Sequence, residues 1–179
     1  KFGKLIQLNL LYLLFCIPII TIGPATAALV EITHYFTEEK PVFLFADFWD
    51  AFKKNFKQGL VVGILQIAMT AMLIYAFIFY FTYTFASWVY YIPFVLIIFF
   101  SLVFLFASFY VYLLMTKVEL KLFAILKNSV MLAFLGFKTN FITLFFTALI
   151  LVPSLWYFPL TSILFLLILF STTAMITSY

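Results

Sequence analysis

Pro18-Ile-Ile-Thr-Ile-Gly-Pro-Ala-Thr-Ala-Ala28 is the stretch around which the chain is organised. Gly23 lifts the steric limits that a Cβ sets on the backbone. Pro24 has no N–H to donate and suits the first turn of a helix. Gly23-Pro24 is therefore expected to end one helix and begin the next. Thr21, just before it, is read as a hydroxyl that caps the turn, with ligand binding as the competing role. The small residues from Ala25 to Ala28 let helices approach closely, which makes Ala25 and Ala28 packing positions.

On either side of this turn the chain is built for lipid. Of 179 residues, 68% are hydrophobic, 23% aromatic and only 9% charged. Mean hydropathy is +1.26. Soluble domains carry roughly 25% charged residues, so these few cannot cover a water-facing surface. The expectation is one all-α transmembrane domain over residues 1–179, a polytopic helical bundle. All ten basic residues are Lys and the net charge is +4. They flank apolar spans, where membrane topology and anionic lipid account for them without a nucleic-acid partner. The Phe- and Ile-rich, Arg-free composition suggests a bacterial source with AT-biased coding. Cys16 is the single cysteine, so neither an intrachain disulfide nor a cysteine metal cluster is expected. The chain opens on Lys1 rather than Met, which leads us to expect a preceding segment. No small-residue cleavage site followed by a soluble domain marks a signal peptide.

Spans are expected over 5–22, 59–80, 92–115, 140–152 and 159–178. Pro24 to Phe36 forms a shorter helix, about 20 Å long at 1.5 Å per residue, against a hydrocarbon core of roughly 30 Å. Charge placement bears on whether it crosses. Lys40, Lys53, Lys54 and Lys57 follow it, and Lys117, Lys121, Lys127 and Lys138 form a later cluster. Six crossings, with 5–36 as a transmembrane hairpin, put every Lys on the cytoplasmic side. Five crossings split them. The expectation is six, with both termini cytoplasmic and five as the alternative. Gly59 and Gly63 open the third span as a GxxxG packing face. Trp88, Tyr90, Tyr91, Trp156 and Tyr157 mark the opposite boundary as an aromatic belt.

Two amphipathic helices complete the layout. In 45–57, Phe45, Phe48, Trp49, Phe52 and Phe56 recur at helical spacing. Asp47 and Asp50 come early and Lys53, Lys54 and Lys57 late, as the helix dipole prefers. Residues 117–135 form the second, ended by Gly136. Both are expected to lie at the cytoplasmic interface, as lipid anchors or as docking surfaces for a partner. Asp47, Phe48, Phe52, Lys53 and Phe56 are the docking residues of the first.

The ionisable residues offer little chemistry. Glu31 and His34 sit three apart on one helix face. Within a bilayer they would suggest a proton relay or solute ligand; near a helix end they would snorkel to the interface. One His without Cys partners does not make a metal site. Gln7, Asn9, Gln66 and Thr70 could line a polar path or hydrogen-bond between helices. There is no phosphate-binding GxxxxGK[ST] loop and no nucleophile–base pair. No catalytic residue, cofactor or metal is expected, and an enzyme is the least favoured reading.

Asn9-Leu-Leu-Tyr-Leu-Leu-Phe-Cys-Ile-Pro-Ile-Ile-Thr-Ile-Gly-Pro-Ala-Thr-Ala-Ala28, followed by Asp47-Phe-Trp-Asp-Ala-Phe-Lys-Lys-Asn-Phe-Lys-Gln58, resembles the YesL-like family of bacterial integral membrane proteins. Tyr12 stands where that family commonly has Trp, and Trp49 where it has Phe. The specific likeness covers the first third of the chain. The resemblance implies a multi-pass bacterial cell-membrane protein, largely uncharacterised, similar to proteins encoded beside carbohydrate ABC importers and glycan-degrading enzymes. We therefore expect an accessory subunit of such an importer, packed against its permeases through Ala25–Ala28 and Gly59/Gly63, with the cytoplasmic helices near its ATPase. The signature residues carried over are Thr21, Gly23, Pro24, Asp47, Phe48, Phe52, Lys53 and Phe56. A stand-alone small-solute transporter or channel, a membrane sensor, and a homo-oligomer are the alternatives.

Overall fold

A computed structural model describes residues 2–156, apart from Ala86 and Glu119. The expected span over 159–178 lies outside the described residues. Within them the secondary structure is helical: α1 (Phe2–Phe15), α2 (Ile22–Thr37), α3 (Leu44–Lys54), α4 (Phe56–Thr84), α5 (Tyr91–Lys117), α6 (Leu122–Leu135) and α7 (Phe137–Trp156). One-turn 3-10 segments, Ile19–Thr21 and Trp88–Tyr90, precede α2 and α5. Among the described residues three helical stretches are long and apolar enough to cross a membrane: Ile19–Thr37, Phe56–Thr84 and Trp88–Lys117. The α6–α7 pair makes a fourth if taken as one span bent by 84°. The chain is a helical membrane protein.

The first helix breaks earlier than Gly23-Pro24. Pro18 removes a backbone donor and biases Ile17 away from helical geometry, so α1 stops at Phe15. Gly23 and Pro24 instead lie in the first turn of α2, where a missing N–H leaves no intrahelical bond unmade. The far end of α2 closes in a Schellman arrangement. Lys40 N donates to Tyr35 O and Glu39 N to Phe36 O, with Glu39 in the left-handed region at φ 56°.

Asn55 separates α3 from α4. At the start of α3, the Asp47 carboxylate accepts from Phe43 N at 2.8 Å, a charge placed where the helix dipole favours it. The main core joins α1, α2, α3 and the start of α4 to the C-terminal end of α5 and the start of α6, with Leu8, Ile32, Phe48, Val62, Val111 and Ile125 buried in it. Phe106, Ala107 and Ala133 form a smaller cluster between α5 and α6.

The segment 117–135 departs from the expected surface helix. α6 packs along α5, with Ile125, Ser129 and Ala133 buried at four-residue intervals. That stripe matches one face of a helix, and Ser129 hides its hydroxyl by donating to Ile125 O at 2.7 Å. Gly136 follows α6 at the bend. A Cβ there would meet the Tyr110 hydroxyl. α7 then runs on through Pro153, beyond the expected end of that span at Val152.

Candidate functional site

Gly23 and Pro24 meet Gly59 and Gly63 where α2 crosses α4. A Cβ on Gly23 would land on the carbonyl of Gly59, and one on Gly59 would lie 2.8 Å from Pro24 Cα. A Cβ on Gly63 would lie 2.9 Å from Gly23 Cα. The two backbones touch directly, and only residues without a side chain allow it. Ala25 and Ala28 are buried on α2 beside this contact. The small-residue faces expected to meet a partner's permeases therefore pack inside the chain. The hydroxyl of Thr21 donates to Phe15 O at 2.6 Å and to Pro18 O at 2.7 Å. It serves carbonyls left open where α1 ends.

Two turns along α2 lies a polar cluster. Glu31 is buried, and its Oε1 accepts from Tyr35 Oη at 3.0 Å and Lys54 Nζ at 3.2 Å. Its Oε2 accepts from the Asn55 side-chain amide at 3.0 Å. Asn55 also donates to Ala51 O, so one buried amide ends α3 and fastens it to α2. Burying a carboxylate is tolerated when donors replace its water. Three donors at one carboxylate meet that need and fix α2, α3 and the start of α4 in register.

His34 is part of a separate group. Its Nε2 lies 3.1 Å from Glu38 Oε1, and Lys40 Nζ lies 2.6 Å from Glu38 Oε2. Lys40, and after it His34, holds the Glu38 carboxyl below the usual carboxylate range. Glu31 and His34 share a helix but serve different clusters, one interior and one at the α2 terminus. The snorkelling expected of Glu31 is replaced by burial against α3. Among the described residues no group of three or more His, Cys, Asp or Glu could hold a metal ion.

On α3, the expected docking residues divide. Phe48 and Phe52 are buried, and both rings meet Phe15 of α1, at 5.2 and 5.0 Å between centroids. They are core residues, because α1 covers the face that the sequence pattern left open. Lys53 stays outside, pairing with Asp50 at 3.1 Å and lying over the Trp49 ring. Trp49, Phe52, Lys53, Lys54, Phe56 and Lys57 line a cleft at the α3–α4 junction. Asp47 caps the helix.

Polar residues in the long helices tie helices together. Tyr112 Oη donates to Gln66 Oε1 at 2.7 Å, joining α5 to α4. Tyr110 Oη donates to Asn140 Oδ1 at 2.6 Å, and Asn140 Nδ2 to Ala133 O at 2.9 Å. This small network braces the α6–α7 bend. Beyond Gln66, α4 and α5 leave an open groove of about 370 Å³ lined by Thr70, Leu73, Ile74, Phe77, Ser101, Phe104 and Leu105.

Asn55, Tyr35 and Lys54 belong to the Glu31 cluster and escape sequence reading. Their only signal is an Asn interrupting the apolar-basic pattern of 45–57. Residues 5–78 match a family described as a protein of unknown function, DUF624. Both the glycine contact and the Glu31 cluster fall within that match. Neither the curated proteins nor the solved structures contain a match to this chain.

Proposed function

We propose that this chain is a multi-pass bacterial cell-membrane protein of the YesL-like kind, with cytoplasmic termini. Its function in this reading is that of an accessory subunit packed against the permeases of a carbohydrate ABC importer. The α4–α5 groove carries the proposal. It runs along two apolar helices within the membrane and presents Thr70 and Ser101 among larger apolar side chains. Small and hydroxylated residues favour helix association in lipid, where apolar burial alone gives no drive. A permease span seated there would fill the groove and cover an apolar surface that the described residues leave open.

The groups that a transporter would use are otherwise engaged. The Glu31 carboxylate is held by Tyr35, Lys54 and Asn55, and Gln66 is bonded to Tyr112. That favours a packing subunit over a solute carrier. The test is photocrosslinking in the native membrane from benzoylphenylalanine placed at Ile74 or Leu105. Crosslinks to importer permeases from these groove positions, and none from Phe45 on the opposite end of the molecule, are the expected result. Crosslinks confined to lipid or to a second copy of this chain would overturn the reading.

A further inference from the structure

The depth of the N-terminal hairpin follows from what it touches. Gly23 and Pro24 lie against Gly59 and Gly63. Glu31, further along α2, reaches Lys54 and Asn55. Thus α2 runs antiparallel to the start of α4, from the level of Gly63 back to Asn55, and then continues past the N-terminus of α4. It does not accompany the remainder of α4.

That remainder has the length of a membrane. Ile64 to Thr84 spans about 32 Å at 1.5 Å per residue, against a hydrocarbon core of roughly 30 Å. From Lys57 to Lys117 there is no intervening charged residue. Tyr83, Trp88, Tyr90 and Tyr91 mark the far boundary as interfacial aromatics do. Tyr91 to Val111 of α5 measures about the same 32 Å, and the Gln66–Tyr112 bond holds the two helices level at the near end. The near boundary therefore falls close to Gly63 and Tyr112, with Lys57 and Lys117 just outside it.

Of the α1–α2 hairpin, the turn is the part that projects beyond Gly63 into the span. Ile17, Ile19 and Ile20 are 74%, 68% and 59% exposed there. Leu14 adds to the same apolar surface. Outside the boundary, Lys53, Lys54 and Lys57 surround the aromatic cleft of Trp49 and Phe56, at the level of lipid headgroups. The apolar tip continues the lipid-facing surface of α4, and the lysines complement anionic lipid.

We infer that Leu14–Ile20 is a wedge seated in the acyl chains of the lysine-side leaflet, with Lys53 and Lys57 at anionic headgroups. The α1–α2 hairpin enters and leaves the membrane on that one side. This removes the conflict between charge and length. A returning hairpin keeps Lys1 and Lys4 with the other lysines, and α2, about 24 Å long for its 16 residues, need not span. The inference does not depend on the importer reading.

A Cys16→Ser protein carrying a nitroxide at Ile20→Cys, in vesicles of phosphatidylcholine and phosphatidylglycerol, tests it. Collision with oxygen and with a water-soluble nickel reagent gives the depth of the label. Lys57→Cys and Ser87→Cys serve as references for the two boundaries. The label at position 20 should lie about one helical turn beyond the level of Gly63, about 15 Å from the Lys57 reference and short of the bilayer centre. A label at the bilayer centre or at the Ser87 boundary would show a crossing hairpin and overturn the inference. Free access to the nickel reagent would overturn it in the other direction. Native mass spectrometry reads the headgroup part: Lys53→Gln/Lys57→Gln should retain at least about twofold less phosphatidylglycerol. Equal retention would remove the lysines from the proposal.

Discussion

Replacing Gly59 by Ala adds one methyl group where α4 meets α2 backbone to backbone. The new Cβ would lie 2.8 Å from Pro24 Cα and 2.9 Å from Pro24 N. Carbon atoms rest about 3.5–4.0 Å apart, so the helices must separate by about 1 Å. A gap of that size forfeits a quarter to a half of the dispersion at each facing atom pair. Overpacking of this kind costs about 1–3 kcal/mol. Opposing it, Ala is better than Gly in a helix interior by about 1 kcal/mol. The steric term outweighs propensity, and we expect a net loss of up to about 2 kcal/mol. Reversible unfolding in mixed detergent–SDS micelles measures the difference, with Gly3→Ala as the comparison. A Cβ at Gly3 meets nothing within 4 Å, so that variant should be neutral or slightly stabilised. Gly59→Ala more stable than the parent by about 1 kcal/mol would refute the backbone contact, because propensity alone would then decide the sign.

Three further outcomes can be read by the same unfolding assay. Glu31→Ala removes a buried acceptor shared by Tyr35, Lys54 and Asn55, and should cost about 1–3 kcal/mol; a neutral variant would mean that α3 is not held to α2 through this carboxylate. Tyr112→Phe deletes only the bond to Gln66 and should cost about 0.5–1.5 kcal/mol, with Gln66→Leu in the same background adding little more. Glu39 occupies the left-handed region, so Glu39→Gly should exceed Glu39→Ala in stability by about 1 kcal/mol; the reverse order would contradict the Schellman closure of α2.

The helical membrane class was legible in composition, because so low a charge content leaves no other solvent. The long spans were legible too, as uncharged runs bounded by Lys and by Tyr and Trp. Boundaries were less so. Gly23-Pro24 read as the turn, yet Pro18 breaks the helix first, and Pro24 is accommodated because the first turn of a helix needs no N–H from it. The glycines were recognised as a packing face, but a sequence cannot say which surface a packing face meets. Here Gly59 and Gly63 meet Gly23. Phe48 and Phe52 show the same limit: their period predicts a buried face, while only the position of α1 decides whether protein or lipid buries it. The segment 117–135 carries several Lys, which suggested the interface, but the Ile125–Ser129–Ala133 stripe is narrow enough to seat on α5. Glu31 was placed with His34 by spacing alone. Of its partners, Tyr35 is one turn on, but the other two lie more than twenty residues away, in an Asn and a Lys whose roles appear only once α3 folds back on α2.

Gentle purification of the tagged chain from its native membrane, followed by quantitative mass spectrometry, tests the functional account most directly. Two permease subunits and an ATPase of one carbohydrate importer should be recovered in fixed stoichiometry with this chain, and should be lost when Ile74 and Leu105 are replaced by Trp to fill the α4–α5 groove. Recovery of the chain alone, or as a homo-oligomer unaffected by the groove substitutions, would contradict it.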